Sequence, residues 1–163
     1  MKKKSLLIFL IGVISLQVYA QGNDKPSDIA AIKVVLKNYV KAFNDGDTVL
    51  AAKVWETSDQ VSLINPASTE SGWINIRHNF YVNLMFANFS IRNLSILDPV
   101  IHTRGNSAWV VFNWDFKATQ RKDDKPFNSQ GRESQFFIKE KGQWRLVQDH
   151  YSGMPIKSGN KRF

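Results

Sequence analysis

Hydrophobic residues recur every three to four positions in the first half of the chain, which is the spacing of amphipathic helices. The clearest stripe consists of Ile29, Ile32, Leu36, Tyr39, Val40 and Phe43. Residues 26–28, Pro-Ser-Asp, predict the start of this helix, and residues 44–46, Asn-Asp-Gly, predict its end. Asp47 then caps a short second helix that reaches about Trp55. A third helix is predicted over residues 72–86.

From Phe89 onward the hydrophobic period changes to two, which predicts strands. The predicted strands span residues 61–64, 90–97, 100–104, 107–119, 132–140 and 143–151, with turns at 98–99, 105–106 and 141–142. The polar stretch 120–129 is predicted to be a hairpin loop. Helices followed by strands favour an α+β fold, in which three N-terminal helices pack on one face of a largely antiparallel sheet.

The strand predicted at 107–119 has two faces of different character. One face is entirely apolar: Ala108, Val110, Phe112, Trp114, Phe116 and Ala118. We expect helices to cover this face, and its small terminal residues leave room for a concavity. The other face carries Trp109 and Val111 among polar groups, which is too apolar for contact with solvent alone. This face predicts a homodimer contact through the sheet.

The N-terminus has the pattern of a signal peptide. Lysines at positions 2–4 precede an apolar run over residues 6–18, and small residues stand at 18 and 20. The run is too short to span a bilayer, although a buried N-terminal helix remains an alternative. We therefore expect a signal peptide (1–20), a linker (21–27), one domain (28–155) and a flexible basic tail (156–163). The mature protein is expected to be periplasmic or secreted, without a membrane anchor.

Composition narrows the choice of partners and cofactors. The 163 residues carry a net charge of +8, and removing the three lysines of the signal peptide lowers it to +5. With export, this argues against a nucleic-acid partner. The absence of cysteine excludes disulfides, thiolate metal sites and thiol catalysis. His78 and His102 lie far apart with no acidic cluster, so neither a metal site nor a cofactor is expected.

Three segments carry a resemblance to a known family. They are residues 38–47 (NYVKAFNDGD), residues 65–66 (NP) followed by Gly72, and residues 142–155 (GQWRLVQDHYSGMP). Together they resemble the nuclear-transport-factor-2-like superfamily, also called SnoaL-like. The third segment is similar in motif to the association domain of calmodulin-dependent protein kinase II. The resemblance implies a cystatin-like roll: a curved sheet around a cone-shaped pocket, closed by three helices and dimeric.

The resemblance also implies which chemistry to look for. Ketosteroid isomerases of this superfamily use a carboxylate base and an oxyanion hole made of a tyrosine and a protonated aspartic acid. Tyr39 matches the tyrosine, although it also fits as a core residue. The position of the base holds Asn65, which accepts no proton at neutral pH but could bind a carbonyl or hydroxyl group. Counting back from Gly142 puts the second acid near Ser134, so that isomerase chemistry is expected to be lost.

His150 is the other candidate acid or base, because a histidine titrates near neutral pH. Its alternative is a structural role in the sheet or at an oligomer contact. Strand alternation separates it from Asp149 but leaves open which set of side chains faces the pocket. Association domains of the kinase hold arginines for carboxylate ligands, and two matching places here hold Gln135 and Tyr151. Arg132 and Arg77 could replace those arginines or could simply be solvated.

These observations predict an exported protein that binds a small apolar or amphipathic organic molecule in the cone. The predicted ligand-binding residues are Tyr39, Trp55, Asn65, Phe80, Phe112, Trp114, Arg132 and Tyr151. One alternative is an enzyme of the isomerase, cyclase or dehydratase type that uses His150 or Tyr39. The other is a non-catalytic oligomerisation module.

Overall fold

The computed structural model describes residues 24–154, so the predicted signal peptide and basic tail lie outside the described residues. The helices are α1 (Pro26–Asp45), α2 (Thr48–Val54) and α3, which starts as an α-helical turn (Trp73–Asn75) and continues as a π-helix (Ile76–Phe86). The strands are β1 (Ser62–Ile64), β2 (Thr69–Ser71), β3 (Phe89–Arg104), β4 (Ser107–Gln120), β5 (Pro126–Glu140) and β6 (Gln143–Gly153).

The strands form one six-stranded sheet in the order β2-β1-β6-β5-β4-β3. β1 runs parallel to β6, and every other neighbouring pair is antiparallel. The sheet is curved and unclosed, with the helices at the N-terminal side of the chain. The α+β prediction and the cystatin-like roll are confirmed.

The helix ends follow the local signals of the sequence. Gly46 adopts a left-handed conformation (φ 73°) and donates its backbone N–H to the carbonyl of Ala42, which terminates α1. The Asp47 carboxylate accepts hydrogen bonds from the backbone N–H groups of Val49 and Leu50, each at 2.9 Å. This cap starts α2 and fixes the angle at which α2 leaves α1.

The strands differ from the prediction in three places. Predicted strands 90–97 and 100–104 are one strand, β3. Asp98 and Pro99, which predicted a turn, instead form an irregularity within β3, where the pairing register shifts between Leu97 and Val100. The predicted loop 120–129 is mostly paired strand, since β4 continues to Gln120 and β5 begins at Pro126. The prediction missed β2, a three-residue strand without an apolar pattern.

The core lies between the helices and the apolar face of β4. Every member of that face, from Ala108 to Ala118, is buried, which confirms the predicted alternation. Phe43 of α1 packs edge-on against Phe116, with ring centroids 5.6 Å apart. No helix within residues 24–154 is long and apolar enough to cross a membrane.

Candidate functional site

A cavity of about 40 Å³ lies between α1, α3 and the inner face of the sheet. Its lining residues are Tyr39, Phe43, Phe80, Met85, Leu94, Trp114, Phe116, Glu133 and Tyr151. The volume exceeds the roughly 10–15 Å³ that one water needs, but is far below the roughly 300 Å³ of a typical ligand pocket. Any ligand larger than a few atoms therefore requires lining side chains to move.

Two buried carboxyl groups, here called the carboxyl pair, form the polar part of this site. Glu133 of β5 is 4% exposed and lines the cavity, and Asp149 of β6 is 0% exposed. The two side chains are in hydrogen-bonding contact. Tyr39 Oη donates to Asp149 Oδ2 at 3.1 Å, and Gln135 Nε2 donates to Glu133 Oε1 at 2.7 Å. Neutral donors from α1 and β5 thus orient the carboxyl pair.

Burial sets the protonation of this site. Burial and the adjacent Asp149 carboxylate raise the pKa of Glu133 well above its ordinary value. Burial also raises the pKa of Asp149, from 3.8 to about 6. The pKa of Tyr39 is raised by burial and by the nearby carboxylates, so its hydroxyl stays a donor. Burial and the contact between the two carboxyl groups thus favour a form of the carboxyl pair that retains a proton.

Three buried polar atoms near the cavity have no hydrogen-bond partner among the described residues. They are Asp149 Oδ1, Gln135 Oε1 and Trp114 Nε1. Buried polar atoms in folded proteins are nearly always paired with protein, water or ligand. A proton held between Glu133 and Asp149 supplies a donor to the carboxyl pair itself, so the site leaves one acceptor, Gln135 Oε1, and one donor, Trp114 Nε1, for other molecules.

A β-bulge in β6 brings Asp149 to the inner face. Phe136 pairs with Gln148 but Phe137 pairs with Leu146, so Val147 is an extra residue in β6. Strand alternation changes phase at this bulge. Before the bulge, the even-numbered residues Trp144 and Leu146 face inward. After it, the odd-numbered residues Asp149 and Tyr151 do so.

The model of the SnoaL-like domain family matches residues 32–157, most of the chain. The chain belongs to the SnoaL-like family. A nuclear transport factor 2-like superfamily protein from Salmonella enterica serovar Typhimurium is 34% identical, with a TM-score of 0.75 over 82% of this chain and 96% of that chain. No curated protein matches the chain significantly.

More distant solved structures share the fold alone. A protein with a cystatin-like fold from Nostoc punctiforme has a TM-score of 0.68 at 14% identity, covering 82% of this chain and 96% of its own. Hexachlorocyclohexane dehydrochlorinase LinA-type3 from Novosphingobium barchaimii has a TM-score of 0.68 at 8% identity, covering 83% and 94%. The SnoaL-like fold is thus common to proteins with very different sequences.

The structure of this SnoaL-like domain brings together four of the predicted ligand-binding residues. Tyr39, Phe80, Trp114 and Tyr151 line the cavity. Phe112 is buried beside Glu133 in the β4–β5 register but does not line the cavity. Trp55 is buried elsewhere in the core, where its Nε1 donates to Tyr81 Oη at 3.0 Å.

The remaining predicted residues lie away from the cavity. Asn65 closes a turn, because its Oδ1 accepts from the backbone N–H groups of Ala67 (2.8 Å) and Ser68 (2.9 Å). Arg132 and His150 are exposed, on the face of the sheet opposite the cavity. The predicted roles of these residues in binding or catalysis would therefore require contacts outside the cone.

The predicted position of a second acid, near Ser134, lies next to the inward-facing carboxyl of this strand, which belongs to Glu133. Ser134 is exposed, and Glu133 points into the cavity. Strand alternation could have indicated this, since Gly131, Glu133, Gln135 and Phe137 are all buried in β5. The signal is obscured because Phe136, an aromatic residue, faces outward in the same strand.

Within residues 24–154 there is no cluster of three metal-binding side chains.

Proposed function

We propose that this SnoaL-like domain binds a small, largely apolar molecule in the cone-shaped cavity. The observation that carries the proposal is a cavity with apolar walls and one buried polar end, formed by Tyr39 and Glu133 with Asp149 behind them. This is the usual composition of a ligand pocket, in which apolar walls give affinity and a few polar groups fix orientation.

Two lining side chains can enlarge the cavity when the ligand enters. Met85 of α3 and Tyr151 of β6 are only half-buried, whereas most other lining residues are fully buried. Methionine adapts its shape at low cost because its side chain is unbranched and flexible. Binding is therefore expected to displace Met85 first and to leave the sheet unchanged.

A cavity-filling variant tests this proposal. Small alcohols, ketones, amines and carboxylates are screened by thermal unfolding, because a ligand that binds only the folded state raises Tm. At least one class should raise the Tm of the wild type and fail to raise that of Met85→Trp, which fills the cavity. Val82→Trp is the matched control, since Val82 lies on the same helix and is 37% exposed.

The proposal fails if no compound class raises the wild-type Tm, or if Met85→Trp responds as the wild type does. Sterols extend the screen to larger ligands, which should bind less well because the cavity is small. A ligand-induced change in tryptophan fluorescence that is present in the wild type and lost in Trp114→Phe gives an independent readout of occupancy, because Trp114 lines the cavity.

An acid–base enzyme is the second candidate, and the carboxyl pair favours it. Burial raises the pKa of Asp149 to about 6, which suits a group that accepts and returns protons near neutral pH. Burial also raises the pKa of Glu133, which favours its protonated form, a donor toward a substrate oxygen in the cavity. Product analysis of the same screen distinguishes the candidates, because a binding protein returns every compound unchanged.

We further propose that the protein is exported and forms a homodimer through its sheet. The pattern of residues 1–20 supports export. Exposed apolar residues on the outer face of the sheet support a dimer. In the β3–β4–β5 register, Val100 pairs with Val111, and Trp109 pairs with Phe136. Each of these side chains is at least 37% exposed.

A further inference from the structure

We infer that the ligand of this cavity is a small organic cation, whose ammonium group binds at the carboxyl pair of Glu133 and Asp149. This inference rests on the proposed function, namely that the cavity binds a small molecule, and it adds the chemical class of that molecule.

The first argument is the charge of the site. The cavity lining contains one carboxyl group and no lysine, arginine or histidine. Every ion pair within residues 24–154 lies elsewhere, as in the half-buried pair of Lys139 with Asp28. Buried acids are normally paired with a cation, because an unpaired buried charge is costly. The carboxyl pair therefore lacks the counter-charge that an ammonium ligand would supply.

The second argument is the set of hydrogen bonds that the chain leaves unmade. Gln135 Oε1 is an acceptor without a donor, in a side chain that is 1% exposed and bonded through its Nε2 to Glu133 at the cavity. An ammonium group brings up to three N–H donors and no acceptor. A primary amine therefore complements this end of the site, and an oxygen on the same ligand could accept from Trp114 Nε1.

The third argument is the aromatic wall. Five of the lining residues are aromatic besides Tyr39: Phe43, Phe80, Trp114, Phe116 and Tyr151. The faces of aromatic rings carry negative potential and attract cations within about 6 Å of the ring centroid. Both the walls and the polar end of the cavity thus favour positive charge.

The same features argue against an anionic ligand. A carboxylate would add a third acidic group beside the carboxyl pair, in a cavity whose lining has no positive side chain. Tyr39 has already donated its hydroxyl hydrogen to Asp149. A neutral alcohol avoids this repulsion, but it gains neither the ion pair nor the contacts with the rings.

Three compounds with the same isobutyl group test the inference: isobutylamine, isobutanol and isovalerate. Their hydrocarbon part is the size of a leucine side chain, and only the charge of the head group differs. Calorimetric titration at pH 7.5 should give the highest affinity for the amine, about tenfold above the alcohol, and no binding of the carboxylate. The amine should also release protons from the carboxyl pair, detected by repeating the titration in buffers of different ionisation enthalpy.

Two double variants test whether the preference for the amine arises at the carboxyl pair. Glu133→Gln with Asp149→Asn should remove the preference for the amine and retain binding of isobutanol. The control is Glu140→Gln with Asp59→Asn, which makes the same two kinds of substitution at exposed acids and should retain the preference. If the first variant does not fold, the wild-type ranking of the three compounds decides the inference.

Two results overturn the inference in distinguishable ways. If isobutanol binds as tightly as isobutylamine or more tightly, the ligand is not a cation and the proposed function stands. If none of the compounds binds and the broader screen also finds no ligand, the proposed function fails together with the inference.

Discussion

The carboxyl pair is the least conventional feature of the molecule at the scale of single residues. Glu133 and Asp149 are buried without a cation, so part of the folding free energy is spent on desolvating them. Tyr39 and Gln135 offset some of this cost by donating hydrogen bonds to the two carboxyl groups. Buried ionisable groups that lower stability and have shifted pKa values are typical of binding and catalytic sites.

The carboxyl pair should make stability decrease as the pH rises. Burial raises the pKa of both groups, so the folded protein binds their protons more tightly than the unfolded chain does. Stability from Asp149 is fully present below its unfolded pKa of 3.8 and is lost as the pH rises through its folded pKa of about 6. The raised pKa of Glu133 extends the loss to higher pH.

Denaturant unfolding between pH 4 and pH 8 measures this effect. The free energy of unfolding of the wild type should fall over this range, relative to Glu133→Gln with Asp149→Asn, by about 3 kcal/mol from Asp149 alone and further because of Glu133. Glu140→Gln, at an exposed acid of the same strand, should follow the wild type. Parallel pH profiles for the wild type and the double variant would show that the two carboxyl groups are not the cause.

Part of the site could be predicted from single residues and part could not. Tyr39 is predictable because it lies on the apolar stripe of α1 and in a family motif. Asp149 is not, because its inward direction depends on the bulge at Val147, and no local signal marks that bulge. The side chains of β6 change faces at the bulge because of how β6 pairs with β5 and packs against the helices, and these neighbours lie far away in the sequence.

At the scale of elements, Gly131 determines how closely β4, β5 and β6 pack beside the cavity. A Cβ at this position would lie 1.9 Å from the carbonyl oxygen of Ser152 and 2.4 Å from Cζ2 of Trp114. The first contact is with backbone, so relieving it requires β5 and β6 to separate. The glycine therefore allows the Trp114 indole to pack closely against β5 at the wall of the cavity.

Gly131→Ala should lower the free energy of unfolding by about 3 kcal/mol, as overpacking of a core does at its upper range. It should also change the fluorescence of Trp114. Gly153→Ala is the matched control, because Gly153 pairs with Gly131 in the sheet and no atom lies within 4 Å of its added Cβ. Equal stability of the two variants would refute the role of Gly131.

Helix boundaries were more predictable than strand boundaries, for a physical reason. Gly46 and Asp47 end and start helices through bonds to residues within four positions, so a short stretch of sequence contains the whole cause. The polar ends of β4 and β5 are strands only because each pairs with the other, as in the match of Lys117 with Asn128. Their sequence alone has the composition of a loop.

At the scale of the whole molecule, the sheet has an inner face that is covered by helices and an outer face that is not. The outer face carries Trp109 and Val111, exposed by 43% and 45%, which stand next to Val100 and Phe136 of the neighbouring strands. His102 stacks on Trp109, with ring centroids 5.1 Å apart. Contiguous exposed apolar surface of this kind marks an interaction site, and a second copy of the chain can bury the patch on both subunits at once.

Sedimentation velocity over a range of protein concentrations tests whether this face forms the homodimer. The wild type should sediment as a dimer, and Trp109→Glu with Val111→Glu should sediment as a folded monomer, because a buried dimer contact does not tolerate unpaired charges. Val34→Glu is the control, since Val34 is 58% exposed on α1, away from the sheet. A wild type that sediments as a monomer at every concentration would contradict the dimer and the oligomerisation-module alternative together. The proposal for the ligand site would be unaffected, because it rests on lining residues that all belong to one subunit.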